Sequence, residues 1–332
     1  MSGFYLVSRA FFFSILLLGV SACGEAEQKQ QANNAATGKP APNAASEKPR
    51  IALVMKTLTN PFFVSMEKGA RDAEKEFGIE LIVRTAAEET SIAQQIDIVE
   101  RIRRNKEAAA IVIAPGDSTQ LIPVLKKAQD EGIVIVNIDN RLDPEFSEKH
   151  GLRNVPFISV DNEQGAYLSA KHIFAALSAP TQVAILEGIP TAKNAQARKA
   201  GAERAIAEIP HATLVASQSA HWKIDEAYDV SRDLFAKHPD IGAVFCANDM
   251  MALGLIRFLG ETGRDDVKVA AFDALDEAKS AIRRGTLVVS IDQQPARQGY
   301  LGVTYALDML NGKEKPAETI IDVMVVDRGN VN

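Results

Sequence analysis

From Arg50 onward, short apolar runs alternate with stretches whose apolar residues recur at helical spacing. Runs at 51–55, 79–83, 109–114 and 133–138 read as buried strands, and the patterns at 61–77, 91–104 and 118–130 between them read as helices. In the helix predicted at 91–104, Ile92, Ile96, Val99 and Ile102 lie three or four residues apart, with Glu100, Arg101, Arg103 and Arg104 towards its end. The breakers agree with these bounds. Gly78 and Gly132 suit C-terminal caps, and Asn60, Ser91 and Ser118 suit N-caps. Pro61 suits the first helical position, where its missing N–H costs nothing.

A second series follows, with strands near 157–160, 182–186, 212–217, 242–246, 267–272 and 287–291 and helices between them. A helix at about 295–311 and a last strand at 319–326 complete the chain. Such alternation predicts an α/β fold of two Rossmann-like lobes, each a doubly wound parallel sheet. The polar segment 141–156, which holds two prolines, reads as a crossing between the lobes. The expected division is 50–158 plus about 294–318 for the N-terminal lobe, and about 159–293 plus 319–332 for the C-terminal lobe. Two such halves joined by several crossings form a hinge suited to closing on a ligand.

The first residues carry an address rather than core. Arg9 supplies a minimal basic region, and the apolar stretch 10–20 is too short to span a bilayer as a mature helix. It ends in Val20-Ser21-Ala22-Cys23, which resembles the lipobox of bacterial lipoproteins. That likeness makes 1–23 a lipoprotein signal peptide, with Cys23 the lipidated first residue of the mature chain. Residues 24–49, rich in Ala, Gln, Asn, Pro and Lys without apolar periodicity, read as a disordered tether. The expected location is outside the cytoplasm, anchored by lipid to the cell membrane or outer membrane.

Composition narrows the function. Lys and Arg total 37 against 43 Asp and Glu, a formal net charge of −6, which argues against a nucleic-acid partner. The second cysteine, Cys246, lies in an apolar run and reads as a small buried hydrophobe. Histidines at 150, 172, 211, 221 and 238 are scattered, and there is no G-x-S-x-G context, phosphate-binding glycine loop or metal-ligand cluster. An enzyme is therefore not expected, nor is a cofactor or a metal.

The carboxyl ends of the strands carry a distinct set of side chains. Lys56, Asn60, Phe62 and Phe63 follow the first strand; Asp139, Asn140 and Arg141 follow 133–138. Asn194 and Arg198 follow 182–186, Trp222 follows 212–217, and Asn248 and Asp249 follow 242–246. Asp273 follows 267–272 and Gln293 follows 287–291. In open α/β sheets ligands bind at these ends. Sugar recognition needs both groups that bind hydroxyls in pairs and flat rings against which C–H faces stack.

On these residues the chain, from about Arg50 to its end, resembles the ribose- and galactose-binding proteins, type I periplasmic binding proteins that feed ABC transporters. The matching pieces are T-L-T-N-P-F-F (57–63), Asp139, V-D-N (160–162), N-A-Q-A-R (194–198), F-C-A-N-D-M-M-A-L-G (245–254), A-F-D (271–273) and I-D-Q-Q-P (291–295). The resemblance implies a monomer that closes two lobes on a monosaccharide and delivers it to a membrane permease. It implies ligand contacts for Asn60, Phe62, Phe63, Asp139, Arg198, Trp222, Asn248, Asp273 and Gln293, to which Lys56, Asn140 and Asn194 are added from their strand ends.

Three positions depart from the pattern. Lys56 stands where the ribose binder has a small hydroxyl residue, Asn140 where an arginine follows the aspartate, and Trp222 where there is a phenylalanine. A lysine and an arginine aimed at one cleft suggest an acidic sugar, or else a different hydroxyl pattern; Lys56 could equally pair with Asp139. Asp161 and Asn162 could serve only to cap a helix. A sensory module presenting its ligand to a membrane receptor or histidine kinase would use the same fold and cleft. A transcriptional repressor would need a helix-turn-helix where this chain has an export signal.

Overall fold

The computed structural model describes residues 48–331. The signal segment, Cys23 and nearly all of the expected tether lie outside the described residues. The first sheet contains β1 (Arg50–Met55), β2 (Glu80–Thr85), β3 (Ala110–Ile113), β4 (Val134–Ile138), β5 (Phe157–Val160) and β11 (Glu318–Ile321), in the order β11-β5-β4-β3-β1-β2. All its neighbouring pairs run parallel. The second contains β6 (Thr181–Glu187), β7 (Ala212–Ser219), β8 (Ile241–Cys246), β9 (Lys268–Ala270), β10 (Val289–Asp292) and β12 (Met324–Asp327), in the order β12-β10-β9-β8-β6-β7. Only β12 is antiparallel to its neighbour. Parallel strands buried on both faces need continuous apolar runs, as in β1, where Ile51 through Met55 are fully buried.

Helices α1 (Pro61–Phe77) and α10 (Pro295–Leu310) cover one face of the first sheet, and α2 (Ile92–Arg104) and α3 (Ile122–Asp130) cover the other. A Cβ at Gly69 would lie 1.8 Å from the Ala296 carbonyl oxygen, and one at Gly299 would lie 2.1 Å from that of Met66. The two backbones therefore touch at α1–α10, which only glycine permits. The second sheet is flanked by α5 (Asn162–Phe174), α6 (Lys193–Ala207), α7 (Ile224–Lys237), α8 (Asp249–Thr262) and α9 (Asp276–Arg284). Local signals set α1 as expected: the Asn60 Oδ1 accepts from the Phe62 N–H at 3.0 Å, Pro61 opens the helix, and Gly78 ends it with φ 65°.

The chain passes between the sheets three times: at Asp161, at Gln293–Gln294 and at Asp322–Val323. Three expectations change accordingly. The strand at 157–160 belongs to the first sheet, paired with β4 and β11, so the N-terminal lobe extends past 158. Segment 141–156 is no crossing; it holds the short helix α4 (Pro144–Lys149) and returns the chain from β4 to β5 in the same sheet. The single strand expected at 319–326 is two, β11 and β12, one in each sheet, so residues 319–321 belong with the first lobe. Ser118 caps no helix: α3 begins at Ile122, and the Ser118 Oγ instead accepts from the Lys193 N–H of the opposite lobe at 2.9 Å.

Candidate ligand-binding cleft

Two sets of strand ends face each other across one chamber. From the first lobe come Lys56, Asn60, Phe62 and Phe63 of the β1–α1 connection, Glu89 of the β2–α2 connection, and Asp139 after β4. From the second come Asn194 and Arg198 of α6, Trp222 of the β7–α7 turn, Asn248 at the head of α8, Asp273 after β9 and Gln293 after β10. These twelve residues line one small chamber. Eleven of the twelve ligand residues expected from the sequence are in this lining.

Asn140 is the exception. It is completely buried, its amide donates to the Pro115 carbonyl at 3.0 Å, and its Oδ1 accepts from the Asn194 backbone N–H at 3.2 Å. Asp139 has φ 64°, and this left-handed step turns the chain so that the next side chain points away from the chamber. Asn140 therefore joins the lobes rather than facing a ligand. Arg141 also stays out of the chamber, stacked over Phe157 and paired with Glu318. Asp161 caps α5 through the Gln164 N–H, and Asn162 accepts from the Arg198 Nε at 2.8 Å, so it holds a lining residue from behind. Glu89, which sequence reasoning missed, follows β2, whose carboxyl end went unread.

Charge in the lining is paired. The Lys56 Nζ lies 2.8 Å from Asp139 and 4.0 Å from Glu89. The Arg198 guanidinium lies 3.6 Å from Asp273 and donates to Asn162, to the Ala247 carbonyl at 2.9 Å and to the Gln293 Oε1 at 3.3 Å. Its face lies 3.8 Å from the centre of the Phe272 ring. Burial lowers the Arg198 pKa, and Asp273 and Asp139 oppose that shift. Burial raises Asp273 well above the carboxylate range against the pull of Arg198. Burial likewise raises Glu89 against Lys56 and the bond from Asn60. The lining holds three carboxyl groups and two cations, and each cation has a carboxyl group beside it.

Rings complete the walls. Phe62 and Phe63 meet edge to face at 5.0 Å and 84°, and both are buried, packed also against the apolar core of their lobe. Trp222 lies opposite on the second lobe. The Nε1 of Trp222 and the Oδ1 of Asn194 are buried with no hydrogen-bond partner within the protein. Buried polar atoms are rarely left so, and the chamber can satisfy them with hydroxyl groups.

The lobes are joined on both flanks. Lys223 pairs with Glu88 at 2.9 Å on one side, and Lys193 pairs with Asp143 at 3.0 Å beside the Ser118–Lys193 and Asn140–Asn194 bonds. The structure is thus the closed arrangement, with each wall residue at most one-tenth exposed.

A family model described as the periplasmic binding protein domain matches residues 51–314. The D-ribose/D-allose-binding protein of Pseudomonas aeruginosa is 40% identical over 270 residues, 80% of this chain and 84% of the relative. The ribose import binding protein RbsB of Escherichia coli is 30% identical over 286 residues, covering 85% of this chain and 92% of the relative. An ABC transporter periplasmic solute binding protein from Actinobacillus succinogenes, solved with bound D-allose, superposes with a TM-score of 0.80 at 39% identity, over 85% of this chain and 98% of that one.

Proposed function

This chain belongs to the periplasmic binding protein family, as a non-catalytic, sugar-binding component of ABC transport, and we propose that its ligand is one neutral monosaccharide of the aldopentose or aldohexose class. The lining of the chamber carries this reading: three aromatic rings, two cations each with a carboxyl group beside it, and open hydrogen-bonding atoms. Ribose and allose, the sugars in the names of the relatives, are the first candidates.

The binding chemistry follows from the pairs. Lys56–Asp139 and Arg198–Asp273 each offer a donor and an acceptor side by side, the arrangement that suits adjacent sugar hydroxyls. Phe62, Phe63 and Trp222 offer flat apolar faces to the ring C–H groups. Exclusion of water strengthens each polar contact. Differential affinity for the closed form then shifts the population towards it, and closure is the signal a permease would read.

Calorimetric titration of the purified protein tests the ligand class. D-Allose or D-ribose should bind at micromolar concentration or below, and glucuronate or a sugar phosphate should give no heat. Tighter binding of the acidic sugars would overturn the neutral-ligand reading. A deletion strain should lose uptake of the radiolabelled sugar; normal uptake with lost signalling would favour the sensory role instead. Lipidation at Cys23 should appear as membrane recovery of the exported protein, abolished by Cys23→Ser.

A further inference from the structure

Asp273 bears its side chain on a strained backbone. Its φ is 124°, and that of Ala274 is 52°, values that L-residues seldom adopt. Directly beneath this loop lies Asp249, the first residue of α8, with no solvent exposure at all and no place in the chamber lining. Its Oδ2 accepts from the Leu275 backbone N–H at 2.7 Å, and its Oδ1 accepts from the Ser290 hydroxyl at 2.7 Å. The Ser290 Oγ in turn accepts from the Ala274 backbone N–H at 3.0 Å. One buried carboxylate therefore holds two consecutive N–H groups of the strained loop, one directly and one through a hydroxyl. The Asp249 backbone N–H closes the circuit by donating to the Phe272 carbonyl at 2.7 Å.

We propose that Asp249 is a positioning residue for sugar affinity: it clamps Ala274 and Leu275 so that Asp273, kept in an unfavourable conformation, presents its carboxylate to the chamber beside Arg198 and Gln293. The inference rests on the sugar-binding reading and adds to it a residue that touches no ligand. The clamp works because only a carboxylate offers acceptors on both oxygens. An amide in its place keeps one acceptor for Leu275 but turns a donor towards Ser290, whose hydroxyl proton then loses its acceptor.

Asp249 is also costly to keep. Burial pushes its pKa up to about 7 in spite of the bonds from Ser290 and Leu275. The groups whose charge bears on it are Arg198 of α6 and Lys279 of α9, which lower that value, and Asp273 and the buried Cys246 thiol, whose own ionisation it opposes. An acid whose pKa is raised on folding loses stability for the fold as pH climbs from about 4 to about 7.

The test is Asp249→Asn, read by melting temperature without sugar at pH 8 and by titration with D-allose and D-ribose. The expected result is a melting temperature at or above that of the parent with sugar affinity weakened about tenfold or more. Adding Ala274→Gly, which relieves the left-handed strain, should restore affinity towards the parent value. Unchanged affinity in Asp249→Asn, affinity that falls only in step with the melting temperature, or no recovery with Ala274→Gly would each overturn the proposal. Should Asp249→Asn fail to fold, Ser290→Ala decides by the same measure: weakened sugar affinity supports the clamp, and parental affinity overturns it. Failure of the parent protein itself to bind either sugar would instead overturn the reading on which the inference rests.

Discussion

Arg198→Ala should abolish detectable sugar binding and lower stability by about 3–5 kcal/mol, the usual consequence of removing one member of a buried charge pair. The guanidinium is 3% exposed and has four polar partners on four separate segments: Asn162, Ala247, Gln293 and Asp273. Its removal leaves all four short of a donor and uncovers the Phe272 ring. Lys in its place should recover little, since one ammonium cannot span a planar fork of acceptors.

The pH dependence of this variant has a definite sign. Arg198 is the main influence holding the Asp273 pKa down against burial, so its loss raises that pKa further. A carboxyl group whose folded pKa is raised binds its proton more tightly in the fold, so stability is lost as pH rises through that value. Arg198→Ala should therefore melt at a lower temperature at pH 8 than at pH 5, measured against the parent at each pH. A difference from the parent that does not vary with pH would mean that Asp273 does not depend on this partner.

Gly188→Ala should also eliminate binding, with the secondary structure unchanged. A Cβ there would lie 2.0 Å from two atoms of the Trp222 ring and 2.4 Å from a third. The ring is 4% exposed, and its own backbone sits at φ 68°, so its room to move is towards the chamber it walls. Overpacking of this kind costs about 1–3 kcal/mol, within what a domain of this size tolerates, while the displaced indole occupies the volume a sugar needs. Circular dichroism should match the parent and titration with D-allose should be silent. Trp222→Phe in the same chain should restore part of the affinity by shortening the ring. Parental affinity in Gly188→Ala alone would show that Trp222 does not shape the site.

Why the chamber was legible in the sequence and other features were not has a physical basis. An apolar run stops where the strand leaves the core, and the polar or aromatic residues just beyond it sit at the sheet edge where a ligand can reach. Asn60, Asp139, Arg198, Asn248, Asp273 and Gln293 could be found that way, residue by residue. Asn140 could not be told from Asp139, because the left-handed turn between them leaves no mark in an Asp-Asn dipeptide. Glu88 and Glu89 are the same residue type in adjacent positions, yet Glu88 has a side chain 58% exposed and bound to Lys223, while that of Glu89 is 10% exposed beside Lys56. Only tertiary contact distinguishes them. The sheet to which 157–160 belongs was hidden for a similar reason: a short apolar strand pairs equally well with either lobe, and its partners are remote in sequence.

Local signals fared better where a backbone group needed satisfying at once. Asn60 with Pro61, and Gly78 at the far end, bound α1 as expected. Of the two readings of Lys56, pairing with Asp139 is the one the structure shows, and Arg198 likewise has Asp273 beside it within its own lobe.

The backbone at the cleft has a practical consequence for anyone wishing to retune this receptor for a new analyte. Asp139, Trp222 and Asp273 are lining residues held at positive φ, where β-branched side chains clash with their own carbonyls. A library randomised at those three sites would lose most members to misfolding before specificity was ever sampled. Glu89 and Asn194 carry no such constraint, and neither is the close counter-ion of a buried partner as Lys56 is of Asp139, so diversity placed there would explore new chemistry on an intact scaffold.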